Sequence, residues 1–123
     1  MKRIWIVDDD EEMTRAIQLM LKLIDCDPTG FFNAHAATKA LLAGKHPDLM
    51  ILDINMPEVS GLDLLEYIRL RPEWNNMPVI MLSTEAADVT VDKAIKLGAD
   101  GYVTKPVTIE ELERVIESAL NKR

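Results

Sequence analysis

Four short apolar runs, each closing on a polar or charged residue, constrain the fold of this chain more than any other feature. Ile4–Val7 runs into Asp8 and Asp9, Leu49–Leu52 into Asp53, Val79–Leu82 into Ser83, and Gly101–Thr104 into Lys105. A continuous apolar run of this length, bounded by turn residues, suits a strand buried on both faces, as in a parallel sheet. Parallel strands need crossover connections, and the stretches between the runs have helical periodicity. If all four strands are parallel, three carboxylates, a hydroxyl and an ammonium emerge on one rim. Ligands of open parallel sheets bind outside that end.

The intervening segments supply five helices. Asp10 can cap a helix with Met13, Ala16, Ile17, Met20, Leu21 and Ile24 inward, and Glu11 and Glu12 in its first turn suit the helix dipole. Asp25–Thr29, with Pro28, breaks the pattern, and Gly30–Phe32 reads as a weak edge strand. Ala36–Leu42 is a short helix ending at Gly44, and Pro47 leads into the central strand. Ser60 opens a helix with Leu64, Leu65 and Ile68 inward and Pro72 just past its end. Ala86–Leu97 is a helix with Val91, Ala94 and Ile95 as its apolar face and Gly98 as its stop. Thr108 and Glu111 make a capping box for the last helix, which turns Leu112, Val115, Ile116, Ala119 and Leu120 inward. Strict alternation with right-handed crossovers predicts an α/β fold, a doubly wound five-stranded parallel sheet covered on both faces. Residues 1–123 read as a single domain.

Composition narrows the function classes. A net charge of −7 argues against direct nucleic-acid binding, which usually needs a basic patch. The single cysteine, Cys26, cannot form an internal disulfide and reads as a small hydrophobe. The start of the chain carries no signal peptide, and no apolar stretch approaches the ~20 residues of a membrane span. A cytoplasmic location is the expectation.

Asp8, Asp9 and Asp53 are hard oxygen ligands, and crowding three such charges is unfavourable unless a cation answers them. Few, oxygen-only ligands suit Mg²⁺ (with Mn²⁺ as a substitute), which keeps several waters and shares its octahedron with phosphate oxygens. Lys105, before Pro106, and Ser83 suit an anion beside Asp53. The five glycines are scattered and make no phosphate loop, so metal, lysine and hydroxyl must hold any phosphate. A carboxylate can itself be the nucleophile that accepts a phosphoryl group.

The segments IVDDD (Ile6–Asp10), ILDINMP (Ile51–Pro57), Gly61, MLST (Met81–Thr84) and GADGYVTKP (Gly98–Pro106) occur in this order along the chain. Together they resemble the receiver domain of two-component response regulators, chemotaxis receivers among them. The resemblance implies the flavodoxin-like strand order 2-1-3-4-5. It implies that Asp53 is the phosphoacceptor, forming a 4-aspartylphosphate. Asp9 would ligate Mg²⁺ directly, Asp8 largely through water, and the backbone carbonyl of Asn55 would be a further ligand. Ser83, next to Thr84, would be the switch hydroxyl and Tyr102 the aromatic that moves with activation. Lys105 would bind phosphoryl oxygens and precede a cis peptide bond. The implied function is a phosphorylation-activated switch in a phosphorelay. It would accept its phosphoryl group from a sensor histidine kinase or phosphotransfer protein and present a changed surface, formed by the fourth helix, fifth strand and last helix, to an effector. Such a domain is not an enzyme on an outside substrate, although it catalyses its own phosphorylation and dephosphorylation.

Two other functions fit a similar sheet. An aspartyl-phosphate phosphatase resembles a DxD arrangement with a second aspartate as acid/base, but Asn55 occupies that position here. A flavin-binding protein needs a hydroxyl- or glycine-rich loop after the first strand, where this chain has acids. His35 and His46 read as loop or surface residues, and Trp5 and Trp74 as packing residues. For association, Lys93 could meet Glu111 of a second copy and Asp100 is present, but Gly101 and Val115 replace charges that DNA-binding regulators use for pairing. Arg114 lies about 100° around the helix from that position. A monomer, or a weak phosphorylation-dependent dimer, is expected.

Overall fold

The computed structural model describes residues 1–84 and 87–123. Strands and helices alternate: β1 (Lys2–Val7), α1 (Glu11–Leu23), β2 (Cys26–Phe31), α2 (Ala34–Leu42), β3 (Leu49–Asp53), α3 (Gly61–Leu70), β4 (Val79–Ser83), α4 (Asp88–Lys96), β5 (Gly101–Thr104) and α5 (Ile109–Lys122). The strands form one parallel sheet in the order β2-β1-β3-β4-β5.

The period-2 geometry of the strands divides the core in two. Trp5, Val7, Met50, Leu52, Val79 and Met81 face one layer, where they meet Ala37 and Leu41 of α2, Leu64, Leu65 and Ile68 of α3, and Ala94 of α4. Ile4, Ile6, Leu49, Ile51, Ile80, Leu82 and Val103 face the other, against Ile17 and Leu21 of α1 and Leu112, Ile116 and Ala119 of α5. Every residue of β3 and β4 is buried, so these runs are apolar up to the Asp53 and Ser83 that close them and do not alternate with polar residues.

Several boundaries and faces differ from the sequence reading. The edge strand is Cys26–Phe31, and it contains Pro28 instead of starting after it. Asp25 takes the left-handed conformation (φ 62°) and turns the chain out of α1, so pairing begins at once. On an edge strand an outward-facing position needs no N–H donor, which is why proline is tolerated there. Helix α2 starts at Ala34 because Asn33 caps it, accepting a bond of 2.7 Å from the Ala36 N–H. The fully buried line of α1 is Thr14, Ile17 and Leu21, while Met13, Ala16, Met20 and Ile24 are half-buried. Helix α4 buries only Ala94; Val91 is half-buried and Ile95 exposed. Of the helix expected over Ala86–Leu97, Ala86 lies outside the described residues, and the described helix closes at Lys96.

Candidate functional site

The parallel register levels the strand ends. Val7 pairs with Leu52, Asp53 with Leu82, and Ser83 with Thr104, so Asp8, Asp53, Ser83 and Lys105 leave the sheet on one rim. One carboxylate oxygen from each of Asp8, Asp9 and Asp53 lies within 4.8 Å of the others. Asp8 and Asp53 are buried and Asp9 is exposed. The Lys105 ammonium approaches Asp8 Oδ2 at 3.2 Å and Asp53 Oδ1 at 3.5 Å. Ser83 is buried beside them.

Local hydrogen bonds hold this arrangement. The Asp8 N–H donates to the Phe31 carbonyl at 3.0 Å, fixing the exit of β1 against β2. Asp8 Oδ1 accepts from the Asp10 N–H at 2.9 Å, and Asp10 Oδ1 from the Met13 N–H at 3.1 Å, so the cap of α1 also orients Asp8. Asp53 Oδ1 accepts a long bond of 3.4 Å from the Asn55 N–H. The Lys105 N–H donates to the Ser83 carbonyl at 2.8 Å, and the Lys105–Pro106 peptide is cis. Beneath β3, a Cβ on Gly61 would lie within clashing distance of the Asp53 carbonyl. Only glycine lets the first turn of α3, capped reciprocally by Ser60 and Asp63, come this close to the backbone of Asp53.

Burial raises the Asp53 pKa to about 6, and the neighbouring Asp8 carboxylate adds to the rise. Lys105 and the Asn55 N–H oppose it. Burial lowers the affinity of Lys105 for its proton, but Asp53 and Asp8 outweigh that, and its pKa is raised. The pair of buried acids is therefore answered by one cation. Asp8 Oδ2 is wholly buried and, although within ion-pair distance of Lys105, has no well-aligned hydrogen bond. A buried carboxylate oxygen in that state, beside two further carboxylates, is a donor set that fits a hard divalent cation.

The match to known proteins follows this geometry. The family model for the response regulator receiver domain matches residues 4–117. The chain belongs to that family. The chemotaxis protein CheY homolog of Campylobacter jejuni is 32% identical over 120 residues, covering 96% of this chain and 92% of that protein. The two-component response regulator ARR10 of Arabidopsis thaliana is 36% identical, but the receiver spans only 21% of its length; it spans 18% of protein RcaC of Microchaete diplosiphon. Among solved structures, the Francisella response regulator 1452 receiver domain superposes with a TM-score of 0.87 at 27% identity, with 100% of each chain covered. Receivers of this family are signalling modules of two-component systems, and they generally bind Mg²⁺ at an acidic pocket of this kind.

Other residues singled out in the sequence take structural places. Trp5 and Trp74 are buried, Cys26 is a buried thiol whose pKa burial raises, and His35 and His46 are exposed. Tyr102 is half-buried on β5, paired in register with Met81 and packed against the α2–α3 side of the core. The sequence reading missed an ion-pair cluster at the opposite end of the sheet. Asp100 there accepts from Arg69 at 3.0 Å and from Arg123 at 2.9 Å, and its Oδ2 also accepts from the Val79 N–H. The three residues are scattered along the sequence, so no local pattern could have signalled it. Asp100 is thus engaged inside the receiver and is not presented to a second copy. Gly101 and Val115 are likewise matched internally, since a Cβ at Gly101 would lie 2.7 Å from the valine Cγ1.

Proposed function

We propose that Asp53 accepts a phosphoryl group from the phosphohistidine of a sensor kinase or phosphotransfer protein, and that the resulting aspartyl phosphate switches the surface formed by α4, β5 and α5. The observation that carries this reading is the placement of Asp53: a buried carboxylate, with the Lys105 ammonium 3.5 Å from Oδ1 and two further acids beside it. With a pKa near 6, Asp53 is mostly ionised at neutral pH and therefore nucleophilic. An Asp53 oxygen attacks phosphorus, the histidine N–P bond breaks, and the imidazole leaves with the electron pair and takes up a proton.

Asp8, Asp9, Asp53 and the carbonyl of Asn55 would hold Mg²⁺, whose positive charge, when bound, offsets that of the transferring phosphoryl oxygens. Lys105 supplies the second positive charge to those oxygens. Ser83, buried at the end of β4, would donate a hydrogen bond to the new phosphoryl group. Tyr102, on the adjacent strand, is the aromatic that relays this movement. The size of the switch equals the difference in contacts that the phosphoryl group makes in the two states. Hydrolysis of the aspartyl phosphate, with the receiver catalysing its own reset, completes the cycle. The domain works in the cytoplasm as a single unit over residues 1–123. It is a monomer or at most a weak dimer when phosphorylated, since the family's pairing pattern is kept only in part, with Lys93 and Glu111, and exposed pairs contribute only ~0–1 kcal/mol. Among the described residues no helix is long and apolar enough to cross a membrane.

The test is treatment with acetyl phosphate and Mg²⁺ followed by mass spectrometry. One phosphoryl group on Asp53, labile to hydroxylamine and absent from Asp9→Ala, is the expected result. Stable modification at Ser83 or Thr84, or undiminished Mg²⁺-dependent labelling of Asp9→Ala, would overturn the assignment.

A further inference from the structure

Thr14 is a wholly buried polar side chain on α1 that the reading above leaves unused. A hydroxyl taken out of water needs a hydrogen bond. Its Oγ1 lies 3.0 Å from the carbonyl oxygen of Asp10 and 3.2 Å from that of Asp8. The first contact is the back-bond that threonine makes to the preceding helical turn. The second leaves the helix and reaches the end of β1. The Thr14 methyl faces β2, where a Cβ on Gly30 would lie 2.7 Å from Cγ2. Thr14 therefore spans three elements: its methyl is seated on β2 and its hydroxyl on the turn that joins β1 to α1.

The two carbonyls that share its one hydroxyl proton flank Asp9. Asp9 is exposed, so the part of it that its neighbours can hold in place is its backbone. Fixing the carbonyls on either side restricts that backbone, and it restricts Asp8 as well, whose buried Oδ2 is held facing the rim without an aligned partner. We propose that Thr14 is a positioning residue for the acidic rim: its hydroxyl fixes the Asp8–Asp10 turn so that the carboxylates of Asp8 and Asp9 converge with Asp53 on a divalent cation. This rests on the reading that these three acids hold Mg²⁺. Groups that orient metal ligands from behind typically cost 10–100-fold in affinity when removed.

The test is calorimetric titration of the unphosphorylated receiver with MgCl₂, alongside circular dichroism to verify folding. Thr14→Val keeps the shape and removes the hydroxyl, and should weaken Mg²⁺ binding about tenfold. Thr14→Ser keeps the hydroxyl and should bind like the wild type. Gly30→Ala pushes on the Thr14 methyl and should also weaken binding; adding Thr14→Ser, which removes that methyl, should restore it. Wild-type affinity in Thr14→Val, or no recovery in the double variant, would overturn the proposal and leave the metal site standing. A wild-type receiver that takes up no Mg²⁺ would overturn the metal site itself, and this inference with it. Should Thr14→Val fail to fold, the Gly30→Ala pair decides the matter.

Discussion

Neutralising Asp53, the proposed phosphoacceptor, should stabilise the metal-free receiver, and the gain should depend on pH. Asp53 titrates at about 6 in the folded protein against an ordinary value of 3.8, chiefly because of burial and then because of Asp8. Between those two values the native state holds a proton that the unfolded chain has already lost. Stability therefore falls as the pH rises through that window, and the full cost is present above the folded pKa. At about 1.4 kcal/mol per pH unit, the rise corresponds to a ceiling of about 3 kcal/mol. The Lys105 ion pair already counts against the rise, so its loss in Asp53→Asn adds no separate cost. The amide introduced by the substitution can also donate toward Asp8 Oδ2, which lacks an aligned donor. We expect Asp53→Asn to gain about 1–3 kcal/mol at pH 7.5 in EDTA. With a urea m-value of about 2 kcal/mol/M, the midpoint would rise by about 1 M. The gap should close near pH 4, where the wild-type carboxyl is protonated. Saturating Mg²⁺ should narrow it from the other side, by stabilising the wild type more than the variant. A variant less stable than wild type in EDTA at pH 7.5, or a gap that does not change with pH, would refute the electrostatic argument.

Further outcomes follow from the same geometry. Lys105→Met removes the cation that holds the Asp53 pKa down, so NMR titration of the Asp53 carboxyl should give a value above that of the wild type, and labelling by acetyl phosphate should slow. Gly61→Ala places a methyl group against the Asp53 carbonyl; urea unfolding should show a loss of about 1–3 kcal/mol, and labelling of Asp53 should fall as α3 is displaced from β3. Asp100→Asn leaves Arg69 and Arg123 without their shared carboxylate, and thermal or urea melts should register a loss of about 3–5 kcal/mol while Mg²⁺ affinity, set at the other end of the sheet, is retained. Leu65→Ala, in the fully buried α3 layer, should cost about 2–5 kcal/mol by the same measurement.

What the sequence determined by itself is the part written in contiguous residues. The runs ending in Asp8, Asp53, Ser83 and Lys105 predicted both the parallel sheet and the rim, because a strand buried on two faces must be apolar throughout and parallel strands all end on one side. The caps at Asp10, Ser60 and Thr108 were readable because capping is local chemistry over three or four residues. Tertiary structure decided the rest. Pro28 looked like a break because proline opposes strands in general, and only the position of β2 at the sheet edge makes it harmless. Nothing local in the sequence marks Thr14, and only the approach of Gly30 and the end of β1 buries it on the acidic turn. Asp100 looked like a surface charge until folding brought Arg69 and Arg123 to it across 31 and 23 residues of chain. Asp53 itself shows the division: its place at a strand end is local, whereas its raised pKa comes from burial and from Asp8, which lies far off in sequence.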